Sequence, residues 1–159
     1  SYRRAIKVAN QRAEVIFEDA EGELDDIFQD ELPFDIEADV IEILPEDYGI
    51  WFVDSMENPE RYVGKTIHYQ ARVLKPRGMG SRFFVPGRTA MTCCADDTTF
   101  LGYVCKADDA PGLPEGSWVE ITAEIAFEYR MEYQEEGLVL YAKEVKRCAP
   151  LEEEMVYFN

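Results

Sequence analysis

Strict alternation of apolar and polar residues dominates the second half of the chain. In Thr66–Leu74, Ile67, Tyr69, Ala71 and Val73 fall on one face of an extended strand, and His68, Gln70 and Arg72 on the other. Trp118–Tyr129 repeats the pattern: Val119, Ile121, Ala123, Ile125, Phe127 and Tyr129 alternate with Glu120, Thr122, Glu124 and Glu128. Shorter runs predict strands at Arg82–Val85, broken by Pro86-Gly87, then at Thr89–Cys94, Thr98–Cys105 and Leu138–Val145. Loops are expected at Pro76–Gly80, Ala110–Gly116 and Gln134–Gly137, where Gly, Pro and polar residues collect. The first half reads differently. Ala5, Ile6, Ala9, Ala13 and Ile16 have near-helical spacing over Tyr2–Phe17. A short strand is expected over Ala38–Leu44, closed by Pro45, and a short helix with its exit over Tyr48–Tyr62.

About five strands in some 85 residues, curved by Gly and Pro, predict a small closed barrel. The fold expected is mainly β (α+β overall): an OB-fold-like β-barrel over residues 48–159, with an acidic α/β appendage over residues 1–47. An SH3-like barrel is the alternative. An apolar fraction of 47% supports a true core, and no apolar run approaches the length that spans a bilayer. The chain begins at Ser1, which leads us to expect a fragment of something longer.

Charge divides the chain. Ala13–Glu60 holds 18 Asp/Glu and no Lys or Arg, whereas Arg61–Ala95 holds seven Lys/Arg and no Asp or Glu. A net charge of −17 disfavours general nucleic-acid binding, because phosphates repel it. Locally, however, Arg72, Lys75, Arg82 and Arg88 interleave with Tyr69, Phe83 and Phe84, a composition suited to an anion or a single strand. The bland reading pairs these cations with the chain's own acids. The acidic run is no EF-hand: with Gly22 as the loop glycine, the first ligand position would be Phe17.

The densest chemistry is Thr92-Cys93-Cys94-Ala95-Asp96-Asp97. Thiolate and carboxylate are both metal ligands, and neighbouring thiols are also a candidate redox pair. A site drawing on Cys93, Cys94, Asp96, Asp97, His68 and Cys105 would suit Zn²⁺ or another transition ion better than Ca²⁺. The spacing of Cys93, Cys94, Cys105 and Cys148 matches no zinc ribbon or finger. The competing reading makes the cysteines structural and His68, the single histidine, a surface residue. Trp118, on the Glu-bearing face of its strand, is expected to pack under the acidic arm.

Asn58-Pro59-Glu60-Arg61-Tyr62-Val63-Gly64-Lys65, Phe84…Arg88…Met91–Asp97 and Ser117–Thr122 together resemble one family. It is the C-terminal soluble domain, of unknown function, of YcgQ-like permease subunits in bacterial membranes. The resemblance runs from about Tyr48 to Asn159 and is most specific at Cys93, Cys94 and Asp97; Met155–Phe158 matches that family's aromatic ending. It implies a non-enzymatic binding or accessory domain. It also implies a membrane segment outside this chain, a polytopic permease-like partner, and a membrane-associated location on a side the residues do not specify. An OB-type nucleic-acid or oligosaccharide module and a thiol redox protein are the alternatives.

Overall fold

The computed structural model describes residues 32–91 and 98–157. The helix expected over Tyr2–Phe17 lies outside them. Eight strands follow in order: β1 (Val40–Glu42), β2 (Thr66–Leu74), β3 (Phe83–Met91), β4 (Thr98–Gly102), β5 (Cys105–Lys106), β6 (Trp118–Arg130), β7 (Glu135–Arg147) and β8 (Met155–Tyr157). One α-helix, α1 (Tyr48–Glu57), stands between β1 and β2. The protein is mainly β, as expected. No helix of the described residues is long and apolar enough to cross a membrane.

The sheet turns back on itself. β2 pairs antiparallel with β6, β6 with β7, β7 runs parallel to β5, β5 pairs with β3, and β3 returns to β2 through Arg72↔Gly87, Val73↔Pro86 and Leu74↔Val85. The result is an OB-like five-membered ring, with β1 added parallel to β2 and β8 parallel to β3. The inward faces are the alternating apolar sets read from the sequence: Ile67, Tyr69, Ala71 and Val73 from β2, and Val119, Ile121, Ala123 and Ile125 from β6, all buried. The described part of the acidic segment belongs to the same core. Ile41 is buried there, because alternate β1 positions face inward, and Phe34 and Ile43 are buried on either side of the strand.

Two expectations fail at proline and glycine. Pro86-Gly87 does not end a strand; β3 runs through it to Met91. Pro86 lacks an N–H but still offers its carbonyl, which accepts the Tyr69 hydroxyl at 2.8 Å. Gly87 lies opposite Gly102, where no side chain fits: a Cβ on Gly87 would stand 2.3 Å from the Leu101 carbonyl oxygen and 3.0 Å from the Gly102 Cα. Here glycine serves close strand approach rather than a turn.

The strand expected over Thr98–Cys105 is two pieces in one register, since Gly87↔Gly102 and Phe84↔Cys105 lie on the same ladder. Extending that register sets Tyr103 against Pro86, which has no N–H to give. At the break the Val104 N–H donates to the Tyr133 hydroxyl at 2.8 Å, and that hydroxyl donates to the Leu138 carbonyl. β7 opens at Glu135, inside the segment expected as a loop, because the β6–β7 ladder continues to Arg130↔Glu135. β8 was not expected as a strand; three residues carry too short a pattern, and its pairing with β3 is non-local.

α1 closes one side of the core. Asn58-Pro59 ends it, since the residue before proline disfavours helix. Its Tyr48, Trp51 and Phe52 meet Tyr69 and Tyr103 with ring centroids 4.9–5.7 Å apart.

Candidate functional site

Cys93, Cys94, Asp96 and Asp97 lie outside the described residues. β3 ends at Met91 and β4 opens at Thr98, and these two are register partners. Met91 also pairs with Tyr157 of β8. The chain therefore enters and leaves the Cys-Cys segment at adjacent points of the sheet.

The other two candidates for that site are not brought together. His68 stands on the outer face of β2, as its strand alternation predicts, and both ring nitrogens are engaged: Nδ1 lies 2.6 Å from Glu42 Oε1 and Nε2 3.2 Å from Glu120 Oε1. Cys105 faces the interior with no exposed surface. Opposite faces of the sheet cannot supply ligands to one ion. No group of three or more His, Cys, Asp or Glu among the described residues is placed to hold a metal.

Burial pushes the Cys105 thiol far above the ordinary cysteine range, against one opposing hydrogen bond at Ala142. Cys148, half-buried, is raised less, first by burial. Both are free thiols. A buried thiol cannot become a thiolate without opening the fold. In a variant whose only remaining cysteine is Cys105, Ellman's reagent at pH 8 should label native protein at least about 100-fold more slowly than protein in urea. Fast native labelling would disprove the burial.

The four basic candidates do not form one patch. Arg88 faces inward on β3 and is buried, a position its alternation with Phe84 and Ala90 allows but its charge argues against. Its guanidinium spends its donors on three carbonyls: Nη1 to Pro45 O at 3.0 Å, Nη2 to Glu153 O at 3.2 Å and Nε to Glu154 O at 3.4 Å. It also lies 5.7 Å from the Tyr48 ring centroid. Burial lowers its basicity, opposed by Tyr48 and Glu153. It thus ties the turn before α1 to the segment leading into β8. Arg72 donates Nε to Gly116 O at 3.0 Å on the outer face, and Arg82 pairs with Asp108 at 3.1 Å in the open. Lys75 is held through its backbone N–H, bonded to Glu115 Oε2 at 2.8 Å.

The aromatics expected beside these cations are spent as well. Tyr69 and Phe84 are core residues, and Phe83 is partly buried, with the Arg130 guanidinium 4.5 Å from its ring centroid. Met79, Val85, Val104, Tyr133 and Val139 form a second apolar cluster outside the ring. The β2–β3 and β6–β7 connections, which supply Met79 and Tyr133, therefore cover the outer surface of β3, β5 and β7. Trp118 is buried too, yet beside Arg72, Thr89, Glu154 and Met155 in a cavity of about 220 Å³. The described cover there is the C-terminal segment and not the acidic arm.

Two features escaped the sequence reading. One is the network on Asp54, which is fully buried. Its Oδ1 accepts Asn58 Nδ2 and Arg61 Nη1, both at 2.9 Å, and its Oδ2 accepts the Tyr62 hydroxyl at 2.6 Å. The spacing Asp54, Asn58, Arg61, Tyr62 on one side of a helix and its exit was the available signal. The other is a cavity of about 200 Å³ between the end of α1 and the start of β7, lined by Ser55, Met56, Tyr103, Phe127, Tyr133 and Leu138 among others. It had no sequence signal, since its walls come from four separated segments.

The profile of the DUF1980 C-terminal domain matches residues 22–158, nearly the whole chain. The chain belongs to the DUF1980 C-terminal domain family. The match reaches from the acidic segment to the end of β8, so this DUF1980 domain includes β1 as well as the ring. Its function is unknown. No curated protein matches the chain. Among solved structures, an aspartyl-tRNA synthetase of Leishmania major aligns at 16% identity and a TM-score of 0.37, covering 68% of this chain and 20% of the synthetase. The mitochondrial single-stranded DNA binding protein Rim1 of S. cerevisiae aligns at 11% identity and a TM-score of 0.31, covering 52% of this chain and 94% of Rim1. The DUF1980 domain thus spans about a fifth of the synthetase's length.

Proposed function

We propose that this DUF1980 domain is a non-enzymatic binding and accessory domain of a membrane-associated permease subunit. In this reading it holds Zn²⁺ or a similar transition ion through Cys93 and Cys94, with Asp96 or Asp97 completing the set. One observation carries the reading: two thiols and two carboxylates fall within six residues between the register-paired strand ends Met91 and Thr98. Short closure between paired strands lowers the entropy lost when ligands gather on an ion. Soft thiolate with carboxylate suits Zn²⁺. The engaged His68 and the buried Cys105 leave the donor set to the segment itself. Membership of the family supports the accessory role, with a polytopic permease-like protein as partner.

The OB-type nucleic-acid reading draws less support, because Tyr69 and Phe84 are in the core and Arg88 is committed to carbonyls. Elemental analysis of protein purified without chelator tests the metal reading. We expect about one zinc per chain in the parent and a large loss both in Cys94→Ala and in the double variant Asp96→Ala/Asp97→Ala. Absence of metal after zinc is added back would overturn it and leave a structural or redox segment.

A further inference from the structure

The cavity between α1 and β7 is independent of the Cys-Cys segment, and its chemistry has one sign. Behind its lining lies the pair Ser55 Oγ and Tyr103 Oη, 2.8 Å apart and both buried. The Phe52 carbonyl lies 3.0 Å from Ser55 Oγ and 3.4 Å from Tyr103 Oη. Two hydroxyl protons serve this group. If Ser55 donates to Phe52 O, Tyr103 donates to Ser55; if Ser55 donates to Tyr103, Tyr103 donates to Phe52 O. Either way both protons are used inside the group, which leaves no free donor to favour an anion.

The lining carries the preference for charge. Tyr103, Phe127 and Tyr133 supply aromatic rings, and ring faces are electron-rich. Met56 and Leu138 supply apolar surface. Glu136 shares a strand face with Leu138, and their β6 register partners are Tyr129 and Phe127. Glu136 has no ion pair among the described residues, and Glu135 stands beside it on the rim. Pro59 marks the C-terminal end of α1, where the helix dipole is negative. Phe127 remains 43% exposed, which leaves the mouth open to solvent.

We propose that this cavity binds a small organic cation: an ammonium head carried on a short apolar or single-ring body. Its ammonium would pair with Glu136, and its body would lie against Phe127 and Leu138. Aromatic walls and the carboxylates Glu135 and Glu136 both favour a cation over an anion. At about 30 Å³ for each water-sized group, the volume holds about seven non-hydrogen atoms, and the open mouth at Phe127 leaves the ammonium outside that count.

The test uses benzylamine against benzyl alcohol, its neutral isostere, by amide chemical-shift titration of the full chain at pH 7. Benzylamine should move the amides of Ser55, Met56, Gly137 and Leu138 saturably, with benzyl alcohol at least about tenfold weaker, the ratio that a desolvated charge contact provides. Glu136→Gln and Phe127→Ala, both at exposed positions, should keep the parent's dispersed spectrum and each weaken benzylamine at least about fivefold. Nα-acetyl-lysinamide separates the sources of the cation: tighter binding than benzylamine assigns the site to a lysine of a partner protein, and weaker binding to a free amine. Equal binding of alcohol and amine, shifts that avoid this cavity, or unaltered binding in folded Glu136→Gln would each overturn the proposal.

Discussion

Asp54→Ala should lower the unfolding free energy by about 4 kcal/mol, within the range for breaking a buried, hydrogen-bonded charge network. Asp54 has no exposed surface and accepts three side-chain donors. The substitution strands the Tyr62 hydroxyl in a fully buried site and leaves Arg61 without its carboxylate. It also frees the turn Asn58–Tyr62, which directs the chain from α1 into β2. The phenol of Tyr62 is held protonated by burial first and by its bond to Asp54 second, so this tyrosine cannot compensate by ionising. Asp54→Asn preserves the volume and one acceptor oxygen but aims an amide N–H₂ at donors, and about 2 kcal/mol is expected for it. Urea unfolding monitored by tryptophan fluorescence measures both. A loss under about 1 kcal/mol for Asp54→Ala would show that the network is incidental.

The second large effect is expected at Gly87. Gly87→Ala places a methyl 2.3 Å from the Leu101 carbonyl oxygen and 2.7 Å from the Phe100 ring. One neighbour is backbone on the paired strand, so relief requires β3 and β4 to separate. Overpacking typically costs about 1–3 kcal/mol and more where the backbone must move, so a loss of about 4 kcal/mol or failure to fold is expected. Gly112→Ala is the control, because its added Cβ meets nothing within 4 Å. Thermal melts of the two variants decide the matter: equal melting temperatures would refute the close-approach account of Gly87.

The strands β2 and β6 were readable almost to the residue, because burial on one face imposes a period of two that a one-residue slip would invert. Arg88 shows where that logic stops. Its position marks the inward face and its charge the outward one, and only the carbonyls of Pro45, Glu153 and Glu154, far apart in sequence, explain the choice. Pro86-Gly87 shows the same limit in the backbone. Both residues read locally as punctuation, yet the sheet uses one for its carbonyl and the other for its missing side chain.

His68 was correctly placed outside, but alternation along β2 says nothing about Glu42 and Glu120, which arrive from β1 and β6. Cys105 shares only its ligand chemistry with His68, and the sheet sets the two on opposite faces. By itself the sequence determined the mainly β class, the inward faces of the long strands and the family, since each rests on local periodicity or on contiguous motifs. Only the tertiary structure decided how the ring closes, which polar groups are consumed inside it, and where the cavity between α1 and β7 lies. Those depend on pairings between distant segments, and such pairings leave no period in the chain.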